Sequence, residues 1–367
     1  MKKHTDSLII GIDIRAMTAN TAGIGNYVSK LYAELCNAAN SVTLIAYSDK
    51  SSQTISTSKT IRSRIIKMPS FIWHIAAYFD ALFITRVDVY FSTHSSLICL
   101  FPFLKTVVTI QDLSSITQAK THTLKERIFL SSLLLRLALH NTHRIIVPSQ
   151  FTKNEIIKYF SLSQDKIVVV PLGVVTLPRS NKESSIAKKP YFIFIGTIEP
   201  RKNLTRLINA FTELKKEKKI PHKLIIAGKR GWYSDPIYDE AKKSAYPDDI
   251  IFTGFLPNEE LASLLGNAEA LVLPSLYEGF GLPVLQAADL RVPVITSNVS
   301  SLPELLGEYA IYVDPLSVAS IKEGMDKVLR LNQKQKNDII EKAYKKAQEY
   351  SWEKAAAETL TVLKSAI

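Results

Sequence analysis

Residues 274–289 read PSLYEGFGLPVLQAAD and follow directly on the apolar run 270–273, ALVL. A short run of that kind, bounded by a turn-forming segment, reads as a buried strand. From Leu282 onward the apolar spacing is helical. Pro283 suits the first turn, where its missing N–H would have had no intrahelical partner. Between strand and helix, Gly279 and Gly281 let the main chain approach a ligand and adopt dihedrals that are costly for other residues. The free N–H groups of such a helix start, aided by its dipole, can hold a diphosphate. Glu278 then stands at the carboxyl end of a strand, where open α/β sheets bind ligands, and its carboxylate can accept hydrogen bonds from sugar hydroxyls. The other reading of these residues is a tight turn with an ordinary capping role.

A second junction, GTIEPRKNL at 196–204, follows the apolar run 191–195. Arg201 and Lys202 beside its helix start offer positive charge to an anion, or form a solvated surface pair. Asn203 is expected to cap a helix whose Leu204, Leu207, Ile208, Phe211 and Leu214 share one face. Working outward, the second half predicts further strands at 223–227, 250–252, 292–296 and 310–313, and helices at 259–265, 283–290, 319–329 and 335–349. The first half predicts strands at 8–13, 42–47, 64–68, 87–91, 106–110, 144–147 and 167–170, and helices at 24–35 and 124–141. Several strands are apolar at consecutive positions, as parallel strands covered on both faces are. The polar stretch 179–190, RSNKESSIAKKP, interrupts the alternation and reads as a linker. At 367 residues the chain exceeds one hydrophobic core. The expectation is an α/β chain of two doubly wound Rossmann-like domains facing across a cleft, at 1–180 and from 181 onward.

The composition is that of a globular protein, 46% hydrophobic and 22% charged. Two distant cysteines, Cys36 and Cys99, argue against a disulfide framework and for a reducing, cytoplasmic setting. Cys99 lies in an apolar stretch and reads as core. The run 8–12 ends at Asp13, too short for a signal segment, and no apolar stretch reaches the ~18 residues of a membrane span. The seven histidines do not cluster with cysteine, and there is no Asp-x-Asp, so no metal site is expected. Charge is uneven: residues 1–180 hold 20 Lys and Arg against 10 Asp and Glu, nearly all of the net +12. That half is expected to meet something anionic, or simply to carry a basic surface. No nucleic-acid reader motif accompanies the charge. Trp73, Tyr78 and Phe79 in FIWHIAAYFD, downstream of Arg62, Arg64 and Lys67, fit either a membrane-surface patch or a buried helix face.

Taken together, the two junctions resemble the retaining glycosyltransferases of family 4, with the GT-B fold, and the resemblance covers nearly the whole chain. GIGNY at 23–27 looks like the family's N-terminal glycine loop. VPSQFT at 147–152, VVPLGV at 169–174, LIIAGKRGW at 224–232, GFLPNEELASLL at 254–265 and TSNVSSLPE at 296–304 follow in the family's order. YSWEKAAAETL at 350–360 looks like the C-terminal helix that crosses back, making 181–345 the nucleotide-sugar domain and 346–367 the returning segment. The resemblance implies that Arg201 and Lys202 neutralise the donor diphosphate. It implies that Glu278 holds sugar hydroxyls, and that Ser275, Gly279, Phe280, Gly281 and Leu282 line sugar and phosphate. Gly196 and Leu256 would border the nucleotide, and Gly23 and Gly25 the donor and acceptor sites. Two departures stand out. The family's second glutamate, eight residues after Glu278, is Gln286, which keeps an acceptor oxygen but loses its charge. The family's His-Asp pair is Gln111–Asp112; Asp112 remains a candidate catalytic group, whereas Gln111 can only hydrogen-bond.

The resemblance implies transfer of a sugar, with retention, from a nucleotide-sugar donor to a glycan or polyprenyl-linked glycan, as in bacterial surface polysaccharide synthesis. It implies no cofactor and no metal, with GDP-mannose the preferred donor; the basic first half adds the expectation of peripheral contact with the inner membrane face. Two other readings stay open: a weakly active or inert scaffold, and an epimerase or phosphorylase on the same fold.

Overall fold

The computed structural model describes residues 8–18, 23–38, 42–50, 60–94, 100, 103–117, 132–178 and 190–367. Their contacts form two units. The chain leaves the first between Gly173 and Val174 and returns to it between Tyr350 and Ser351. The change therefore comes earlier than position 180, and residues 346–350 stay with the second unit. The short helix Ser114–Thr117 also clusters with the second unit.

The first unit is built on seven parallel strands: β1 (Leu8–Asp13), β2 (Val42–Ser48), β3 (Ile61–Ile65), β4 (Val89–Ser92), β5 (Thr106–Thr109), β6 (Arg144–Val147) and β7 (Ile167–Val169). Their order is β3-β2-β1-β4-β5-β6-β7, so the order reverses between β1 and β4. The pairing runs from Leu8 beside Val42 to Asp13 beside Tyr47, and from Ile10 beside Val89 to Ile12 beside Phe91. Ile10, Leu44, Val89, Phe91, Val107 and Ile145 are fully buried, which is why these strands read as unbroken apolar runs. β3 is the exception. It sits at the sheet edge with Arg62 and Ser63 exposed, so it begins before the 64–68 segment that the apolar residues Ile65 and Ile66 suggest.

The helix Ile24–Ala38 buries Tyr27, Val28, Leu31 and Leu35. It packs on the C-terminal helix Trp352–Ser365, whose N-cap Ser351 accepts from the Lys354 N–H. Of the segment 71–80, all but Asp80 belongs to the helix Ser70–Phe79, in which Trp73 and Tyr78 are buried and Phe79 is exposed. A π-helical turn, Asp80–Ile84, continues it. Buried Asp80 anchors that turn, accepting from Tyr47 Oη at 3.1 Å and Arg64 Nε at 2.7 Å. Of the helix expected at 124–141, Ser132–Asn141 is described. The remainder, the linker segment 179–189 and Cys99 lie outside the described residues.

The second unit carries six parallel strands: β8 (Tyr191–Ile195), β9 (Lys223–Ala227), β10 (Ile250–Gly254), β11 (Ala270–Leu273), β12 (Val294–Ser297) and β13 (Ile311–Val313). Their order, β10-β9-β8-β11-β12-β13, repeats the doubly wound pattern and reverses between β8 and β11. The helix Leu204–Lys218 buries the expected face, Leu204, Leu207, Ile208, Phe211 and Leu214, and packs on the helix Val318–Arg330. Asn203 does not cap it. Its backbone is left-handed (φ 62°), and its side-chain amide instead donates to the Pro274 and Pro315 carbonyls at 2.9 and 2.7 Å.

Candidate active site

The reversal between β8 and β11 opens a crevice at the carboxyl ends of those strands, and two loops fill it. The loop after β8 carries Arg201 and Lys202; the loop after β11 carries Ser275 and Glu278. They are tied together by main-chain and side-chain bonds. The Leu276 N–H donates to the Arg201 carbonyl at 2.9 Å, and Asn203 holds Pro274.

Glu278 is the centre of the group and is only 6% exposed. Lys202 Nζ and Ser275 Oγ both donate to its Oε1 at 2.6 Å, and Arg201 donates to its Oε2 at 3.0 Å. Burial alone would raise its pKa. The charges of Lys202 and Arg201, with the Lys202 and Ser275 hydrogen bonds, hold it instead at about 2. Arg201 divides its other donors between Glu199 Oε1, at 3.1 and 2.7 Å, and the Tyr277 carbonyl at 2.7 Å. Two cations thus face two carboxylates, all four side chains largely buried. An ammonium carries three donors, so Lys202 has further N–H groups with which to meet an anion.

The backbone around Glu278 is fixed as firmly as its side chain. The Glu278 N–H donates to Ser300 Oγ at 3.1 Å, and Ser301 Oγ donates to the carbonyls of Glu278 and Phe280 at 2.9 and 2.8 Å. Gly281 opens the helix Leu282–Asp289 with φ 119°, and a Cβ there would lie 2.8 Å from Leu302. No side chain caps that helix, Pro283 has no N–H, and the Val284 N–H donates to the Gly281 carbonyl at 3.0 Å, so few main-chain donors remain at this helix start. Gln286, one turn in, donates to the Val175 carbonyl at 3.4 Å, a bond no carboxylate could make.

Beside the group, the ends of β8, β9 and β10 form a ledge of main chain. The Gly196 N–H donates to Ala227 O at 3.0 Å, and the Gly228 N–H to Gly254 O at 2.9 Å. A Cβ on Gly228 would stand 1.8 Å from the Gly196 oxygen, so only glycine fits. Leu256 follows β10 on the same edge, half-buried, two strands from β8. Among the sequence-predicted residues the structure therefore brings together Arg201, Lys202, Ser275 and Glu278, with Gly279, Phe280, Gly281 and Leu282 adjoining. Ser300, Ser301 and Glu199 complete the group and carry no local sign of it. Glu199 lies in the segment 196–204 and Ser300 and Ser301 in 296–304, but spacing alone gives them no role.

Gly23, Gly25 and Asp112 belong to the first unit. Gly23 has φ 73° before the helix Ile24–Ala38, Gly25 is buried inside it, and Tyr27 ties the helix to Thr109 at the end of β5 at 2.8 Å. Gln111 and Asp112 follow β5, and the Gln111 amide nitrogen is buried without a hydrogen-bond partner. The first unit has its own reversal point, between β1 and β4, and sequence reasoning missed what stands there. Asp13, fully buried at the end of β1, accepts from Arg15 Nε at 3.1 Å and from its terminal nitrogen at 2.8 Å. The Arg15 guanidinium lies 3.6 Å over the Trp73 ring and 3.1 Å from His74 Nε2. Thr93 Oγ1 donates to the Asp13 carbonyl at 2.7 Å, with His94 Nδ1 3.1 Å from the same hydroxyl. Burial would raise Asp13, but the Arg15 bonds and charge hold it below the usual range. Burial and the neighbouring Arg15 hold His74 at about 4, and burial also lowers His94. Among the described residues no three His, Cys, Asp or Glu side chains are grouped to hold a metal.

Comparison with known proteins matches both units. The family model for glycosyltransferase family 4 covers residues 21–176, and that for glycosyl transferases group 1 covers 178–346. O-antigen chain mannosyltransferase B of Escherichia coli is 32% identical over 269 residues, 71% of this chain and 70% of its own length. O-antigen chain mannosyltransferase RfbU of Salmonella typhimurium is 28% identical over 75% of this chain and 76% of its own. Among solved structures, sucrose-phosphate synthase of Thermosynechococcus elongatus superposes with a TM-score of 0.78 at 18% identity, covering 98% of each chain. HepE of Anabaena, solved with UDP and glucose, gives 0.75 at 14% identity over 98% of this chain and all of that one. Two doubly wound sheets, a carboxylate gripped by two cations at the second reversal point, and these matches lead to one assignment: the chain belongs to glycosyltransferase family 4 and has the GT-B fold.

Proposed function

We propose that this glycosyltransferase transfers mannose from GDP-mannose, with retention and without a metal, to a glycan or lipid-linked glycan acceptor at a membrane face. The observation that carries the proposal is Glu278: a buried carboxylate kept ionised by Lys202, Arg201 and Ser275 where an α/β sheet binds its ligands. An ionised acceptor so fixed can hold donor-sugar hydroxyls in one orientation. Lys202 and Arg201 can neutralise the leaving diphosphate, which otherwise calls for a divalent cation. The bond from the anomeric carbon to the diphosphate oxygen breaks, the bond to the acceptor oxygen forms on the same face, and the acceptor proton passes to the departing phosphate. The mannosyltransferase names of the relatives favour mannose, and the UDP held by a structural neighbour favours a nucleotide donor in this fold.

A scaffold role without catalysis is the second reading, favoured by Gln286 and Gln111 where the family carries acids or histidine. A single experiment separates the two. The purified chain is incubated with each of several nucleotide sugars and a soluble mannoside acceptor, with and without EDTA, and released nucleotide and product anomer are measured. GDP-mannose turnover unchanged by chelation, with an α product from the α donor, is expected. Dependence on added magnesium or manganese would overturn the metal-free step, and no turnover with any donor would favour the scaffold.

A further inference from the structure

At the carboxyl edge of the first sheet the fold uses up several polar groups itself. Asp13 gives both carboxylate oxygens to Arg15, and Thr109, at the end of β5, is bound to Tyr27 Oη at 2.8 Å. His94, just after β4, and Gln111, just after β5, each keep one group that the fold does not use.

The hydrogen bonds of Thr93 fix the tautomer of His94. Thr93 Oγ1 has a single proton and gives it to the Asp13 carbonyl at 2.7 Å. In the 3.1 Å contact between the same oxygen and His94 Nδ1, the ring must therefore be the donor, through Nδ1–H. Burial lowers the pKa of this imidazole, Asp13 pulls it back up and Arg15 lowers it again; the net fall leaves the ring neutral in neutral solution. With its proton on Nδ1, the ring presents Nε2 as a bare lone pair. Among the described residues nothing bonds to that nitrogen, and it is not sealed in the interior; His94 as a whole is half-buried. His74 differs, because its Nε2 is committed to Arg15 at 3.1 Å.

The complementary group stands on the next strand. β4 and β5 are adjacent and parallel, with Ser92 beside Val108. His94 and Gln111 follow those residues closely and leave the same edge on strands about 4.8 Å apart. Gln111 is half-buried, and its amide nitrogen is buried without a partner. A donor in that condition gains from any ligand oxygen that reaches it. One edge thus offers a lone pair and an N–H on neighbouring strands. A hydroxyl both donates and accepts, so two adjacent sugar hydroxyls match the pair. An ionised phosphate or carboxylate has no proton for the lone pair, and an apolar group satisfies neither side.

We propose that His94 and Gln111 read the acceptor as a neutral sugar bearing two adjacent free hydroxyls, one donating to His94 Nε2 and the other accepting from the Gln111 amide. The proposal rests on the reading of a glycan acceptor and names what in that glycan is recognised. Neither residue takes the transferred proton, which passes to the donor phosphate; they select and orient the sugar that is presented. A chain end deoxygenated or esterified at either hydroxyl is then a poor acceptor.

The test is titration of the full chain with methyl α-mannoside and with each of its monodeoxy analogues, followed by NMR, beside calorimetric titration with GDP. Removal of either of two neighbouring hydroxyls is expected to weaken binding to the wild type about tenfold, and removal of the others by less than about twofold. In His94→Phe the parent sugar binds about tenfold more weakly and one of the two deoxy penalties disappears. In Gln111→Leu the other disappears. His94→Gln, which keeps an acceptor oxygen, is expected to hold the parent affinity within about threefold of wild type. GDP affinity is unchanged throughout. Equal binding of all analogues by the wild type, no binding of the mannoside, or an unchanged analogue pattern in both variants overturns the proposal. So does a uniform loss across all analogues in both variants, which would make the two residues supports of the strand ends and not contacts. Mannoside binding is read without donor, so a flat analogue series beside intact GDP binding leaves the glycosyltransfer reading standing. Absent GDP binding removes the donor reading without touching the analogue pattern.

Discussion

The two reversal points have the same topology and different chemistry. Each places a buried carboxylate beside arginine at the carboxyl edge of a parallel sheet, Asp13 with Arg15 in one and Glu278 with Arg201 in the other. Around Asp13 both carboxylate oxygens are taken by a single arginine, which is itself covered by Trp73 and flanked by neutral His74. Around Glu278 the carboxylate is shared among Lys202, Arg201 and Ser275, and a lysine with N–H groups in reserve stands beside a helix start. The first arrangement is enclosed by its own neighbours and ties a strand end in place. The second has donors that can be redirected to a ligand. Similar residues in equivalent positions become scaffold or site according to how many of their hydrogen bonds the fold itself consumes.

The largest expected effect tests that division directly. Glu278→Gln keeps the volume and removes the charge; transfer should fall by ~10³-fold while nucleotide affinity, read by thermal shift, changes less than about tenfold. Asp13→Asn should do the reverse. It strips the partner from a covered guanidinium and should lower unfolding free energy by about 3 kcal/mol, with turnover per folded molecule within a few-fold of wild type. Turnover near normal in the Glu278 variant would break the comparison.

An effect of similar stability scale but narrower range lies in the pH dependence. His74 has a folded pKa of about 4 against an ordinary 6.5, so the unfolded chain takes up a proton that the native one refuses. Stability from this group is complete above pH 6.5 and is lost as the pH falls toward 4, amounting to roughly 3 kcal/mol. Glu278, held at about 2, gives stability that is present above its ordinary 4.5 and lost only between there and about 2. Urea unfolding followed from pH 7 to 4 should therefore show a loss in the first unit that His74→Gln removes. A curve equally steep in that variant would exclude His74 as the cause.

The smallest expected effects are at the two glutamines. Gln286→Glu gives up the long bond to Val175 and offers a charged acceptor, so nucleotide affinity should rise about threefold to tenfold with little change in stability. Gln111→His, in the first unit, should alter the KM for acceptor and leave nucleotide affinity unchanged. Calorimetric titration with GDP, set beside acceptor kinetics, checks both; a Gln111 variant that shifts GDP binding would blur the distinction between the regions.

The second region was legible in the sequence and the first was not, for a physical reason. Ser275, Glu278, Gly281 and Pro283 fall within a single strand–turn–helix, so local rules about glycine, proline and strand ends converge on them. Arg201 and Lys202 needed only the same rule applied once more. Asp13, Arg15, Trp73, His74 and His94 meet through contacts spanning some 60 to 80 residues, and nothing in their spacing announces it. Asp13 reads merely as the end of an apolar run. Trp73 and Tyr78 fit a buried helix face or a surface patch in sequence; the packing of the Ser70–Phe79 helix buries them and leaves Phe79 and Phe83 outside. β3 lies a few residues before the apolar signal because an edge strand lacks the two-sided burial that makes central strands conspicuous. Asn203 shows that the right residue at a helix start can serve another purpose, here bracing two loops.

The glycine ledge at Gly196 and Gly228 has a bearing on how such an enzyme can diversify. With the Gly196 oxygen 1.8 Å from where any Gly228 Cβ would sit, that wall offers no side chain for selection to vary, and its shape is inherited unchanged with the sheet. On the proposed function, new donor preferences would then arise on the loops after β10 and β11, where Leu256 and the residues following Glu278 have side chains to exchange. Libraries aimed at new sugars should leave the ledge alone and randomise those loops, because substitutions in the ledge would be lost as misfolded protein before any change in specificity could be seen.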